Sequence, residues 1–584
     1  MRKIAGVATT LPKNSEVAER FELLADLLEI EGAQSYRVIA YRRAAARIRE
    51  TPSLVAELAL EGRARDLPGI GRTIEGKIVQ IVRDGEIEAL RERKDAVPPE
   101  LIAFLRLPGL GPKTVRRIWQ ELGITSLEEL RRAAAEQRLR RLPGLGVRTE
   151  ENLLRALARR QEEPQEGTQR ATLLGAALPA AREAVAQLRE HSALDRISEA
   201  GSVRRRKETV RDIDLIATAR DPASLTEHFV RDERVGEIVA HGPTKATVLW
   251  HNGLRFDLRV VPPESYGNLL QHFTGSKEHN VALREDAVRR GLSVSEYGVS
   301  VVETGEVETA ETEEDVYRLL GYPFIVPELR ENRGELEAAR RGELPALVEL
   351  EHLRGDLHLH SSWSADADHT LEEMARAAVA RGYEYLAVTD HSHYLREGRF
   401  EAQRDEIEAL NKRLEPFRIL RGIEVSIAPD GSLDASDDEL ASCDWVVASL
   451  HRAFDASPTE RLLAAMEHPH VDCIGHATAR KLGRRAGAEV AIERVIEKAV
   501  ETGTALEINS QADRLDLRDA HARAAGEAGA TIVVSSDAHR IRELANVELG
   551  VAQARRAWLT REQVLNTRRR RELEAFRRAR AHTS

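Results

Sequence analysis

Two groups of residues have the types and spacing for phosphate chemistry. Asp212-Ile213-Asp214 lies in the apolar run DIDLIAT, which predicts a β-strand. Residues i and i+2 of a strand share a face, so two carboxylates stand side by side. Like charges that close repel unless a cation sits between them, and hard oxygen ligands suit Mg²⁺. Asp257, in the alternating run Arg255–Val260, is a third carboxylate for a two-metal site that activates an attacking oxygen and stabilises a leaving one. Gly201-Ser202, eleven residues before Asp212, and Arg205 would offer N–H, hydroxyl and positive charge to a triphosphate. The second group is rich in histidine. His358 and His360 alternate along Asp356–His360, and Asp390-His391, Glu424, His451, His476 and Asp537-Ala538-His539 each end a short apolar run. That mixture suits Zn²⁺, Mn²⁺ or Fe²⁺ better than Mg²⁺ alone.

The elements needed to position them follow from periodicity. From about residue 352 to 575, apolar strands alternate with helices, which argues for a (β/α) barrel or related parallel sheet. Parallel β/α units gather their C-terminal strand ends on one rim, so ligands distant in sequence converge there. Ahead of them, residues 171–261 mix a helix with β-rich runs, and residues 16–60 read as helices. Three turns, Leu67–Gly71, Leu107–Gly111 and Leu142–Gly146, repeat L-P-G-h-G before amphipathic helices. Glycines at such turns let backbone approach a ligand, and the following helix offers free N–H groups to an anion such as a DNA phosphate. Gly69, Gly71, Gly109, Gly111, Gly144 and Gly146 are expected near the DNA backbone, with Lys113 and Thr114 just behind the second turn.

Charge supports that division. The chain of 584 residues has a net charge of −10, yet residues 1–160 hold 30 Lys+Arg against 23 Asp+Glu. A basic front on an acidic body suits a phosphate-binding module joined to metal-binding ones. No run of about 18 apolar residues or secretory leader is visible, which excludes a membrane span. Cys443 and Cys473 are the only cysteines, too few for a thiolate cluster or disulfide framework, so a cytoplasmic setting is expected.

The stretch from about residue 16 to 322 resembles the family X DNA polymerases, the DNA polymerase beta-like nucleotidyltransferases. The motifs that carry the resemblance are G-S, D-x-D, the later strand aspartate and His272-Phe273-Thr274-Gly275-Ser276, which is similar to that family's Y-F-T-G-S. The resemblance implies that Asp212, Asp214 and Asp257 hold Mg²⁺ or Mn²⁺, with Asp257 beside the primer 3′-OH. It implies that Gly201, Ser202 and Arg205 bind the triphosphate, that His272, Phe273 and Gly275 face the nucleotide sugar, and that Asn280 and Arg284 contact the nascent pair and template. His272 replaces an aromatic that senses the sugar's 2′ side, which bears on discrimination against ribonucleotides. Lys77 aligns with the family's 5′-deoxyribose phosphate lyase nucleophile; a Schiff base needs an amine, and arginine cannot serve. Thr73 and Arg37 stand where beta-like enzymes use lysines, and a plain phosphate contact is the other reading of Lys77.

Residues 352–575 resemble a PHP (polymerase and histidinol phosphatase) domain, a (β/α)7 barrel with up to three metals. The match implies the ligands His358, His360, Asp366, His391, Glu424, His451, His476, Asp537 and His539, with Asp368 competing for the place of Asp366. The resulting expectation is multidomain: N-terminal all-α helix-hairpin-helix domains (1–93 and a fingers-type 94–168), an α+β nucleotidyltransferase palm (169–261), a small α+β thumb (262–326), a linker (327–351) and the barrel (352–575). The function expected is gap-filling DNA synthesis from deoxynucleoside triphosphates on gapped or primer-template DNA, by a monomer. A metal-dependent 3′–5′ exonuclease, with AP-endonuclease activity as a further expectation, would reside in the barrel. The alternatives are a nucleotidyltransferase acting on something other than DNA and a polymerase whose barrel is a non-catalytic scaffold.

Overall fold

Apolar residues at three- and four-residue steps build the front of the chain. In the computed structural model, helix Asn14–Glu31 buries Val17, Phe21, Leu24 and Leu28 against Val38, Tyr41, Ala45 and Ile48 of helix Ser35–Glu50. The structure describes residues 11–154, except 13, 52–53, 68, 99, 106, 108–109, 143–144, 147–149 and 151–152, and residues 171–580, except 486. They divide into two compact units: one runs to residue 170 and adds 187–195 and 219–260, and the other contains 171–186, 196–218 and 261 onward. The segment expected as a single palm, 169–261, is therefore shared between them.

In the first unit one continuous core runs from Val17 to Leu153. Helix Asn14–Glu31 packs on helix Pro112–Leu122, so the two expected helical domains share a common interior. Asn14 ties the front together: its side chain donates to Thr51 O (2.8 Å) and accepts from Val55 N (2.9 Å). The unit also contains the antiparallel strands Val235–His241, Lys245–Trp250 and Arg255–Val260, with Asp257 opposite Thr247.

The second unit contains the barrel. Seven parallel strands follow one another in chain order: Gly355–Leu359, Tyr385–Val388, Arg418–Ser426, Trp445–Ser449, Cys473–Gly475, Ala505–Asn509 and Ile532–Ser535. The first and last are linked through His360 N to Ala538 O (2.9 Å) and Asp537 N to His358 O (2.8 Å). Leu357, Tyr385, Trp445 and Cys473 fill the interior. The C-terminal helix Arg570–Arg580 seals it: Leu573 is buried in that interior, Phe576 packs beside it, and Arg577 Nε lies 3.0 Å from Asp472. This basic C-terminal helix is thus structural as far as residue 577.

The small segment before the barrel has helices Tyr266–Thr274 and Lys277–Arg289, three short antiparallel strands and helix Glu313–Leu319. Residues 327–351 correct the linker expectation. Helix Glu335–Arg341 buries Leu336 and Ala339 against Val316 and Tyr317, and the fully buried Arg330 pairs with Glu313 at 2.6 Å. Breakers and charge made this stretch look like a tether, but Arg330, Glu331 and Glu335 are paired inside the fold. Truncating the barrel seal by Leu573→Ala is expected to cost about 2–4 kcal/mol, because the methyls removed leave a cavity. Thermal unfolding of the two proteins side by side checks this.

Candidate active sites

The barrel rim brings the whole expected ligand set into one cluster. Glu424, buried at the end of its strand, has His391 Nδ1 at 2.8 Å, His451 Nε2 at 3.1 Å, His476 Nε2 at 3.2 Å, His358 Nε2 at 3.4 Å and His360 Nε2 at 3.6 Å. Asp537 Oδ1 lies 3.3 Å from His360 Nε2 and 3.7 Å from His539 Nδ1. A register shift between Asp356 and Leu359 interrupts the plain alternation of the first strand, and both of its histidines reach the cluster. Asp366, not Asp368, faces it: Asp366 Oδ2 is 3.5 Å from His391 Nε2 and 3.6 Å from His539 Nε2, whereas Asp368 is paired with Arg540 at 2.6 Å.

Charge is concentrated there. Burial would raise the Glu424 carboxyl, but His451, His358 and His391 hold it well below the usual range. Burial opposes a charge on His391, yet Glu424 and Asp366 lift it to about 10. Burial, with His539 and His391 alongside, takes His360 down to about 3. His358 Nε2, both ring nitrogens of His360 and His476 Nδ1 are buried and make no hydrogen bond. Three triads, His358/His360/Asp537, His360/His391/His539 and His391/Glu424/His451, each bring their donor atoms within 4.8 Å of one another. Buried imidazole nitrogens without hydrogen-bond partners, set among ionised carboxylates, fit divalent metal.

Residues outside the expected set support this one. Glu507 Oε1 takes His358 Nδ1 at 2.7 Å, while its other oxygen accepts His476 N (2.7 Å) and Asn509 Nδ2 (3.2 Å). Asn509 also donates to Asp537 at 2.9 Å. A second carboxylate fixing the far nitrogen of a ligand histidine sets its tautomer. Glu507 and Asn509 alternate in the strand run TALEINS, and that period-two polarity in an otherwise apolar strand was the available signal.

In the second unit, Asp212 and Asp214 lie on strand Asp212–Ala219 with Ile213 buried between them. Gly201 has φ +62°, and a Cβ there would fall 2.3 Å from Asp214 Oδ2; only glycine lets the Gly-Ser turn lie against that carboxylate. Arg205 is held by Glu331 (3.0 Å) and by Thr274 O, directly before Gly275. Arg284 lies 3.1 Å from His272 Nδ1, and Asn280 donates to His272 O at 2.8 Å, so both rest on the histidine that departs from the pattern. His272 and Phe273 are tilted neighbours with ring centres 5.3 Å apart. Asp257 stands in the first unit, held by Arg255 Nε (2.9 Å) and the Thr247 hydroxyl; against burial, these two keep it below the usual carboxylate range.

The hairpins also belong to the first unit. Gly69 adopts φ +84°, and Gly71 and Gly111 sit at helix starts with no capping side chain, leaving N–H groups to an outside anion. Gly146 likewise has open space where a Cβ would be, whereas Gly109 and Gly144 lie outside the described residues. Lys113 is exposed beside Arg116 and Arg117 along one groove. Glu75 closes the first turn on Arg65 (2.9 Å) and Glu150 the third on Arg140 (2.7 Å); the second has Leu105 and Val115 at those places. Lys77 Nζ lies over the Tyr41 ring at 5.8 Å, and partial burial, with Arg93 and Arg37 near, lowers its pKa.

Comparison with known proteins agrees with this arrangement. The family description DNA polymerase beta thumb matches residues 269–331, Helix-hairpin-helix domain matches 12–87, SAM-like Helix-hairpin-helix tandem matches 101–159 and PHP domain matches 356–511. The chain is 38% identical over 572 residues to DNA polymerase/3′-5′ exonuclease PolX of Bacillus subtilis, covering 96% of this chain and 98% of that one. It is 28% identical over 346 residues to DNA polymerase lambda of Rattus norvegicus (54% and 56%), and 30% identical over 225 residues to a probable phosphatase of Thermoanaerobacter sp. (36% and 89%). With one such relative matched over nearly the whole of both chains, the chain belongs to the family X DNA polymerases that carry a C-terminal PHP domain.

Proposed function

We propose that this protein fills short gaps in DNA during repair, adding deoxynucleotides at one site and trimming 3′ ends, or cutting at abasic sites, at another. DNA synthesis and 3′–5′ exonuclease are the activities of this family, and both depend on metal ions. The observation that supports the reading most is the presence in one chain of the G-S/D-x-D strand and the full nine-residue barrel cluster, matched over nearly its whole length to PolX.

In this reading Asp212, Asp214 and Asp257 hold Mg²⁺ or Mn²⁺, and the barrel residues hold up to three Zn²⁺, Mn²⁺ or Fe²⁺. Divalent ions at such sites supply the charge that activates a hydroxyl or water and neutralises a leaving oxygen. The lowered pKa of Asp257 keeps it ionised at neutral pH, as a ligand beside a primer 3′-OH must be. Ser202 and Arg205 grip the triphosphate, Phe273 and Gly275 bound the sugar, and Asn280 and Arg284, braced on His272, meet the base pair and template. The uncapped hairpin helices hold DNA phosphates without reading sequence. The modules work as 1–93, 94–168, 169–261 and 262–326, with the barrel docked through 327–351, in a cytoplasmic monomer. Among the described residues no helix is long and apolar enough to cross a membrane.

A 5′-labelled gapped duplex, with and without nucleotides, separates the two chemistries. Asp257→Ala is expected to abolish extension and keep degradation, and His358→Ala to do the reverse; loss of both by either folded variant refutes the two-site reading. Extension of a DNA primer but not an RNA one excludes a nucleotidyltransferase of other specificity. Glu507→Gln, which loosens His358 without removing a ligand, is expected to lower barrel metal content and exonuclease rate by about 10- to 100-fold. Elemental analysis and the same gel measure this. Partial burial lowers the Lys77 pKa, the direction a Schiff-base nucleophile needs, and borohydride is expected to trap a covalent adduct with 5′-deoxyribose phosphate ends in the native protein and not in Lys77→Ala. Equal trapping in both makes Lys77 a phosphate contact only.

A further inference from the structure

We propose that Arg556, on the barrel helix Val547–Arg556, is a positioning residue for nucleotide addition: it shares the Glu331 carboxylate with Arg205 and so leaves Arg205 free to turn toward a triphosphate. The inference rests on the reading of Arg205 as a triphosphate contact.

The residues form a continuous charged chain. Arg205 Nε is 3.0 Å from Glu331 Oε1, and Arg556 reaches the same oxygen at 2.9 Å. Arg556 also donates to the backbone O of Arg205 at 2.7 Å, and its other nitrogen is 2.7 Å from Asp519. Asp519 in turn takes Arg333 at 3.1 Å, and Lys207 lies 3.7 Å from the second Glu331 oxygen. The network is nearly dry: Arg556 is 3% exposed and Glu331 10%. Two further contacts dock the barrel on the same turn, Gln553 to Arg206 O at 3.4 Å and Arg480 to Glu208 at 2.7 Å.

The electrostatics follow from sharing. A buried carboxylate deprived of one arginine draws harder on the partner that remains. With Arg556 in place, Glu331 is satisfied from the barrel side, and the pull on Arg205 is divided. Without it, Glu331 has Arg205 as its one arginine, and Arg205 leaves for a phosphate at greater cost. The barrel therefore contributes to nucleotide affinity through a residue of its own, although its metal cluster takes no part in synthesis.

The test is steady-state extension on a gapped duplex with the full-length protein. Arg556→Gln is expected to raise the nucleotide KM about tenfold, with a smaller change in kcat. Glu331→Gln, which releases Arg205, is expected to leave KM at or below the parental value, and the double variant Glu331→Gln/Arg556→Gln to return KM toward it. A packing defect would not be repaired by a second substitution. Exonuclease activity on single-stranded DNA, in the same preparations, reports an intact barrel; if Arg556→Gln loses it, Glu331→Gln alone decides. A parental KM in a folded Arg556→Gln protein, a raised KM in Glu331→Gln, or a double variant as impaired as the single overturns the proposal. Arg205→Gln run alongside keeps the two readings apart: an unchanged KM there removes the triphosphate reading itself, whereas a raised KM there beside a parental KM in Arg556→Gln removes only the role of Arg556.

Discussion

One carboxylate organises the barrel's chemistry. Five imidazoles approach Glu424 within 3.6 Å, in a place with almost no access to water. So many ionisable groups are tolerable in a dry interior only if each is offset by its neighbours, and divalent metal performs that service more completely than protons do. The closed ring of short strands is the scaffold this demands. No local segment could present these donors, because Glu424 meets histidines from the first, second, fourth and fifth strands. The apolar interior, sealed from below by Leu573 and Phe576, keeps the floor of the cluster dry.

Much of this was legible in the sequence, for a physical reason. Parallel strands separated by helices leave their C-terminal ends on one side, so a histidine or carboxylate at such an end has a predictable destination. The D-x-D strand was legible on the same ground of period two. What was hidden depended on pairing across long separations. Glu507 looks like a polar residue in a buried strand until His358 is placed against it. Residues 327–351 looked like a connector because Arg330, Glu331 and Glu335 are charged. In the fold Arg330 meets Glu313, Glu335 meets His279 at 2.7 Å, and Glu331 meets two arginines. Charge argues for solvent only when its partner is unknown.

The three hairpin turns show the reverse limit. They share L-P-G-h-G in sequence, yet the residues flanking them are braced differently. The outer two close on an Arg–Glu clamp ten residues apart, and the middle one replaces both members with apolar residues that join the core. A repeated motif thus left its bracing to context. A single core, from Val17 to Leu153, lies behind all three.

The link between the first and last barrel strands has a consequence for how the protein is made. His358 and His360 emerge from the ribosome well before Asp537 and His539, separated by a stretch that takes roughly ten to forty seconds to translate at ~5–20 residues per second. During that interval the nascent chain carries at most seven of the nine cluster residues, and the ring of strands that gathers them is still open. The order of the sequence therefore leaves the cluster open until its last two members, Asp537 and His539, have been made.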